Sequence, residues 1–96
     1  MVTLYIDTKN QKVVTVSLKK DGKVVESISE ENEYGSQVLL PLIMKVVGTH
    51  TLTAIEVETG PGSFTGLKVG VSVANAFGFS LGIPVNGKKI EHKLVY

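Results

Sequence analysis

The sequence contains no cysteine and no arginine. Without cysteine, a disulfide framework and a thiolate zinc site are both excluded, and a reducing compartment such as the cytoplasm is the expected location. The ten basic residues are all lysines, the formal net charge is +1, and the longest basic runs are the pairs Lys19-Lys20 and Lys88-Lys89. Because phosphate backbones are bound by a concentrated positive face, we expect no strong direct binding to nucleic acid.

Long apolar runs are also missing from the chain. No stretch reaches the roughly 18 apolar residues that a membrane-spanning helix requires, so no membrane association is expected. A chain of 96 residues suits a single domain. Hydrophobic residues nevertheless make up 43% of it, which is high for a small domain, and part of this surplus is expected to face a partner.

The first third of the chain has the pattern of an antiparallel meander. Residues 2–6 form a short apolar, β-branched run that is typical of a buried strand. Residues 12–18 and 23–28 both contain alternating stretches, and the Asp21-Gly22 pair between them predicts a two-residue hairpin turn.

The remainder of the chain predicts two helices, each ended by a glycine and accompanied by a short strand. The predicted helices cover residues 36–47 and about 66–81, and the predicted strands cover 52–58 and 83–85. Together with the meander they predict an α/β fold, a mixed sheet of about five strands with two main helices. We expect one lobe over residues 1–87, followed by a short charged tail over 88–96.

The most specific segment is the run over residues 60–70, Gly-Pro-Gly-Ser-Phe-Thr-Gly-Leu-Lys-Val-Gly. Backbone amides at the start of a helix can bind an anion. A tight strand-to-helix junction, capped by Ser63 or Thr65, explains the same residues and is the favoured interpretation. In this interpretation, Gly62 is required for a backbone conformation that other residues avoid. The predicted structural turn consists of Gly60, Pro61, Gly62, Ser63, Thr65 and Gly66.

This segment resembles the Gly-Pro-Gly-Ser-Phe-Thr-Gly-Leu-Arg motif of the YeaZ/TsaB family, whose members act in the synthesis of tRNA threonylcarbamoyladenosine. Three further landmarks follow the order of that family: Asp7-Thr8, residues 36–43 (Ser-Gln-Val-Leu-Leu-Pro-Leu-Ile) and residues 81–85 (Leu-Gly-Ile-Pro-Val). The chain departs from the family pattern at Lys68, where arginine is usual, and at Gly35, where a histidine commonly stands. It also ends before a second lobe.

The resemblance implies an actin-like ATPase fold, with a ribonuclease-H-like core in each lobe. It also implies a non-catalytic scaffold, without a cofactor of its own, that supports a TsaD-type catalytic subunit. A TsaE-type ATPase would join through the complex. In this scheme the two predicted helices pair with the equivalent helices of the partner, or with a second copy of this chain when the partner is absent.

Both predicted helices are apolar around most of their circumference, which exceeds what one face of a sheet can cover. The small residues Gly66, Gly70 and Ala74 recur every four positions in the second helix, a spacing that allows close backbone approach. From the sequence they can face either a partner helix or the chain's own sheet. The candidate interface residues are Val38, Leu39, Leu42, Ile43, Val46, Leu67, Gly70, Val71, Val73, Ala74 and Phe77.

A second hypothesis makes the chain a minimal nucleotide-binding phosphotransferase or ATPase lobe, with Asp7 and Thr8 as its candidate site. Metal–nucleotide sites need several convergent oxygens, so capping or turn formation is the favoured role of Asp7. His50 and His92 lack metal-ligand spacing, and Ser63 has no recognisable triad partners. A third hypothesis is a stand-alone homodimer, in which the helices of two copies cover each other.

Overall fold

Four strands form a mixed sheet in the computed structural model, which describes residues 1–10, 12–31, 36–62 and 64–87. β1 (Val2–Asn10), β2 (Val13–Lys20) and β3 (Lys23–Glu31) pair antiparallel, as the alternating pattern predicted. β4 (Ala54–Val57) lies parallel to β1, so the strand order is β3-β2-β1-β4. The parallel pairing places the carboxyl ends of β1 and β4 at the same edge of the sheet.

The hairpin between β2 and β3 has the predicted two-residue turn. Asp21 and Gly22 have φ values of 52° and 83°, and the flanking Lys20 and Lys23 are paired. Two consecutive positive φ values define the type I′ turn, which matches the twist of the strands and favours Asp-Gly.

Two helices, α1 (Ser36–Val47) and α2 (Phe64–Leu81), pack on one face of the sheet. Both end at a glycine in the left-handed region, Gly48 with φ 52° and Gly82 with φ 67°. The Gly48 N–H donates to the Met44 carbonyl at 3.1 Å, which satisfies a carbonyl that the end of a helix leaves unpaired. Neither helix has the length and apolar character needed to cross a membrane.

The core lies between the helices and the sheet. Alternation along the strands places every second side chain on the face that the helices cover. The fully buried side chains of this core are Leu4, Ile6, Val14, Val16, Leu18, Leu39, Ile43, Val46 and Ile55.

The opposite face of the sheet carries polar side chains that pair across strands. The hydroxyls of Thr15 and Ser29 lie 2.8 Å apart, and those of Ser17 and Ser27 lie 2.9 Å apart. Such pairs are compatible with a face that water can reach.

The predicted α/β fold with a mixed sheet and two main helices is confirmed. The last predicted strand is reduced to one parallel bridge between Val85 and Ile55. The predicted tail, residues 88–96, lies outside the described residues.

Candidate partner interface and the junction behind it

The end of β1 is fastened to the start of α2 by a buried threonine. Thr8 is 3% exposed, and its Oγ1 donates to the carbonyl oxygen of Gly66 at 2.5 Å. One turn further along α2, a Cβ added to Gly70 would overlap Thr8 Oγ1. Gly66 and Gly70 therefore allow the helix to lie directly on β1, and we call this contact the Thr8 junction.

The glycine-rich turn before α2 packs on the same end of β1. A Cβ added to Gly62 would lie 2.6 Å from the Cβ of Lys9 and 2.7 Å from its carbonyl oxygen. Gly62 is not among the residues with positive φ, whereas Gly60 has a φ of 117°. The expected reason for a glycine at position 62 is therefore corrected: it is close approach to β1, while the strained backbone belongs to Gly60.

Pro61 follows Gly60 through a cis peptide bond, and the side chain of Leu67 covers Gly60. The other two predicted members of the turn are Ser63 and Thr65. Ser63 and the side chain of Thr65 lie outside the described part of the chain, so their capping role stays a prediction.

Asp7 lies within β1, just before the irregularity in the pairing with β2 that falls between Asp7 and Asn10. Its Oδ1 accepts the N–H of Lys9 at 3.1 Å, and its Oδ2 lies 3.9 Å from Lys9 Nζ. A carboxylate that accepts the amide two residues ahead is a common turn-forming arrangement. The neighbouring Thr8 hydroxyl is buried and donates to α2, so the geometry of this pair is that of a structural junction.

Sequence reasoning missed the contact between Tyr5 and Glu58 on the open face of the sheet. The Tyr5 hydroxyl donates to Glu58 Oε2 at 3.1 Å, and Glu58 Oε1 accepts the Gly60 N–H at 3.4 Å. Burial, followed by the hydrogen bond to Glu58, raises the pKa of Tyr5 to about 12. The hydrogen bond from Tyr5, helped by the Gly60 amide, lowers the pKa of Glu58. This pair ties β1 to the start of the glycine-rich turn.

On α1, the structure corrects four of the interface candidates to core residues. Leu39, Leu42, Ile43 and Val46 are at most 3% exposed, and their spacing of three, four and seven residues gives the stripe that faces the sheet. Their side chains are covered by the chain itself, so a partner cannot reach them in this conformation. The side chain of Val38 lies outside the described part of the structure.

On α2, Gly70 and Ala74 are also corrected to sheet-facing positions. Gly70 contacts Thr8, and Ala74 is completely buried. The small-residue row therefore serves approach to the chain's own sheet. The remaining candidates on this helix are only partly buried: Leu67, Val71, Val73 and Phe77. The last three of them also pack against the core.

The large apolar side chains that the helices expose were absent from the predicted set. Leu40 is 50% exposed, Met44 63%, Phe79 44% and Leu81 52%. On α1 the sequence showed only that Leu40 and Met44 share one side of the helix, not that this side remains uncovered. Leu40 and Met44 are four residues apart and fall outside the sheet-facing stripe, so they belong to the surface that remains uncovered.

Part of this surface forms a groove between the two helices, with a volume of about 370 Å³. Ile43, Val47 and Phe77 contribute to its lining, and Met44 and Leu81 add exposed apolar side chains. His50 and Thr51 also line it, which places His50 beside the helices. Within the part of the chain that the structure describes, no three or more histidine, aspartate or glutamate side chains form a metal-binding group. We call this feature the helix groove, and Leu40, Met44, Val73, Phe77 and Leu81 the helix surface.

The chain is similar to proteins of known families. The family model described as "TsaD: tRNA N6-adenosine threonylcarbamoyltransferase" matches residues 36–88, which include α1, β4 and α2. The tRNA threonylcarbamoyladenosine biosynthesis protein TsaB of Bacillus subtilis is 31% identical over 91 residues, which cover 90% of this chain and 40% of the relative. The TsaB protein of Buchnera aphidicola is 32% identical over 92 residues, covering 90% and 43% respectively. The chain belongs to the YeaZ/TsaB family, within the wider family that the TsaD model describes.

A solved structure supports the same relationship. YeaZ from Pseudomonas aeruginosa superposes with a TM-score of 0.77 at 28% identity, covering 88% of this chain and 41% of that protein. The fold is accordingly the predicted ribonuclease-H-like lobe of the actin-like ATPase class. The chain spans about two fifths of the length of these relatives.

Proposed function

We propose that this chain is a non-catalytic scaffold that binds and supports a TsaD-type subunit in the synthesis of tRNA N6-threonylcarbamoyladenosine. The observation that carries the proposal is the helix surface, where three large apolar side chains, Leu40, Met44 and Leu81, are 50% to 63% exposed. Exposed apolar side chains grouped around a groove are characteristic of protein–protein contact. The names of the TsaB relatives indicate the process in which this contact is used, the biosynthesis of tRNA threonylcarbamoyladenosine.

The matched family model supports the choice of partner. Its description is that of TsaD, and its matched segment contains both helices of this surface. A TsaD-type subunit would then present related helices, so that α1 and α2 pack against their counterparts with approximate twofold symmetry. In the absence of that subunit, the same surface joins two copies of this chain.

The scaffold works in the cytoplasm as a lobe over residues 1–87, and it meets a TsaE-type ATPase and tRNA only through the complex. Catalysis belongs to the partner. The Thr8 junction supports this assignment, because the hydroxyl next to Asp7 is buried against α2 and donates to Gly66. A nucleotide-binding role for Asp7 and Thr8 would require the Thr8 hydroxyl to break its hydrogen bond to the Gly66 carbonyl.

Titration with the TsaD-type subunit from the same source tests the proposal. Met44→Glu places a charge on the helix surface, and desolvating this charge should weaken association by about 1 to 3 kcal/mol, or roughly five- to a hundredfold. The control is Val25→Glu, because Val25 is 56% exposed on β3 and this variant also replaces an exposed apolar side chain by glutamate, away from the helices. Circular dichroism verifies that both variants fold.

Equal weakening by the two variants, or no complex with the unmodified chain, would contradict the scaffold role. Calorimetry with ATP and magnesium provides the complementary measurement. We expect no tight binding, whereas micromolar affinity that disappears in Asp7→Ala would favour the phosphotransferase hypothesis.

A further inference from the structure

The segment after α2 returns along the outer side of β4. The Ile55 N–H donates to the Pro84 carbonyl at 2.9 Å, and the Asn86 N–H donates to the Ile55 carbonyl at 2.8 Å. This backbone pairing covers the β4 edge at Ile55. It does not extend through the backbone to Val57, two residues further along the strand.

The side chain of Asn86 continues the pairing at Val57. The Val57 N–H donates to Asn86 Oδ1 at 2.8 Å, and Asn86 Nδ2 donates to the Val57 carbonyl at 3.1 Å. One carboxamide thus takes the place of a neighbouring strand residue. We call this pair of hydrogen bonds the Asn86 clamp, and it holds the end of β4 just before Glu58.

Asn86 is followed by Gly87, and both residues have positive φ, 50° and 79°. Asparagine is chemically labile in proteins, and a following glycine increases this lability because it has no Cβ to hinder attack by its backbone nitrogen. In the reaction the Gly87 nitrogen attacks Asn86 Cγ, the bond from Cγ to Nδ2 breaks, and ammonia leaves. Water then opens the cyclic imide to give aspartate or isoaspartate. Water is the only co-reactant, and it reaches Asn86 because this residue is exposed.

We propose that Asn86 is a deamidation site that the folded chain protects through the Asn86 clamp. Ring closure requires the carboxamide to leave both atoms of Val57 and turn toward Gly87. The product does not restore the clamp. Aspartate keeps an acceptor for the Val57 N–H but lacks the donor for its carbonyl, and isoaspartate adds a backbone methylene. Modification therefore releases the end of β4 that leads into the glycine-rich turn.

Peptide mapping by mass spectrometry tests the protection. The chain is incubated at mildly alkaline pH with and without denaturant, and conversion of amide to carboxyl is followed at Asn86. Two other asparagines in the same digest, Asn10 and Asn75, serve as internal controls because neither precedes a glycine. In denaturant, we expect Asn86 to convert faster than Asn10 and Asn75. In the folded chain, we expect Asn86 to convert at least about tenfold more slowly than it does in denaturant, since two hydrogen bonds must first open. Equal rates with and without denaturant would overturn the proposal, as would an unmodified Asn86 in the unfolded chain.

Hydrogen exchange of the Val57 amide tests the clamp itself. In Asn86→Asp, the loss of the donor should increase exchange at Val57 by about two- to tenfold, the change expected for one hydrogen bond. The exchange of Leu4 and Ile6 in β1 serves as a reference, and it should change less. Unchanged protection at Val57 would show that the carboxamide does not hold this strand end.

Discussion

At the scale of single residues, Thr8 illustrates what a local sequence pattern can and cannot predict. The sequence predicted a strand ending before Asp7 and favoured a capping or turn role for this residue. Instead β1 continues through Asp7 and Thr8 to Asn10, although Asp7 does accept the Lys9 amide. The bond from Thr8 to Gly66 joins residues 58 positions apart, so no local pattern contains it. The same holds for Gly62, where a side chain would overlap Lys9, a residue of another element.

The Thr8 junction predicts an energetic coupling between Thr8 and Gly70. Gly70→Ala should destabilise the fold by about 1 to 3 kcal/mol, because its methyl group overlaps the threonine hydroxyl. Thr8→Ala removes both the hydrogen bond and the obstacle, so the double variant should be more stable than the sum of the two changes predicts. Denaturant unfolding of the four proteins measures the coupling. Strict additivity would mean that α2 does not rest on β1 through these two residues.

The pair of Tyr5 and Glu58 predicts a dependence on alkaline pH. The folded-state pKa of Tyr5 is raised from 10.0 to about 12, so its stabilising contribution is fully present below pH 10 and is lost as the pH rises through 12. Ultraviolet absorbance of the folded chain should show a tyrosine ionisation near pH 12. Tyr5→Phe should remove this step, with circular dichroism recorded at each pH. Loss of a step near pH 10 instead, when Tyr5 is replaced by phenylalanine, would refute the assignment.

At the scale of elements, α1 shows why an apolar helix is difficult to orient from its sequence. Its pattern predicted a helix over residues 36–47, and the structure has the same bounds. The side that faces the sheet was not predicted, because apolar residues occupy most of the circumference. The stripe of Leu39, Leu42, Ile43 and Val46 is continuous with the core, whereas Leu40 and Met44 are left outside.

The two sides of α1 should respond differently to the same substitution. Leu42→Glu buries an unpaired charge at a position that is 3% exposed, and we expect it to unfold the chain or destabilise it by several kcal/mol. Met44→Glu, at a position that is 63% exposed, should change the free energy of unfolding by less than about 0.5 kcal/mol. Thermal and denaturant unfolding distinguish the two variants. A Met44→Glu variant as unstable as Leu42→Glu would mean that α1 is rotated about its axis relative to this structure.

At the scale of the whole molecule, the helices cover one face of the sheet while the other face is polar. The antiparallel meander and the two helices followed from periodicity and turn residues, whereas the position of β4 beside β1 was not predicted. The closing strand was overestimated because the pairing that follows Val85 is made by the side chain of Asn86. The apolar surplus of the composition is found on the helix surface, which is consistent with a chain that functions by contact with a second protein.

The most direct measurement of this central claim is a nuclear magnetic resonance experiment on the isotopically labelled chain with an unlabelled TsaD-type subunit. Transfer of saturation from the partner reports which methyl groups lie in the interface. The account predicts attenuation at Leu40, Met44 and Leu81, with Val24 and Val25 on β3 unaffected although each is 56% exposed. Attenuation at the β3 valines with an unchanged helix surface would contradict it.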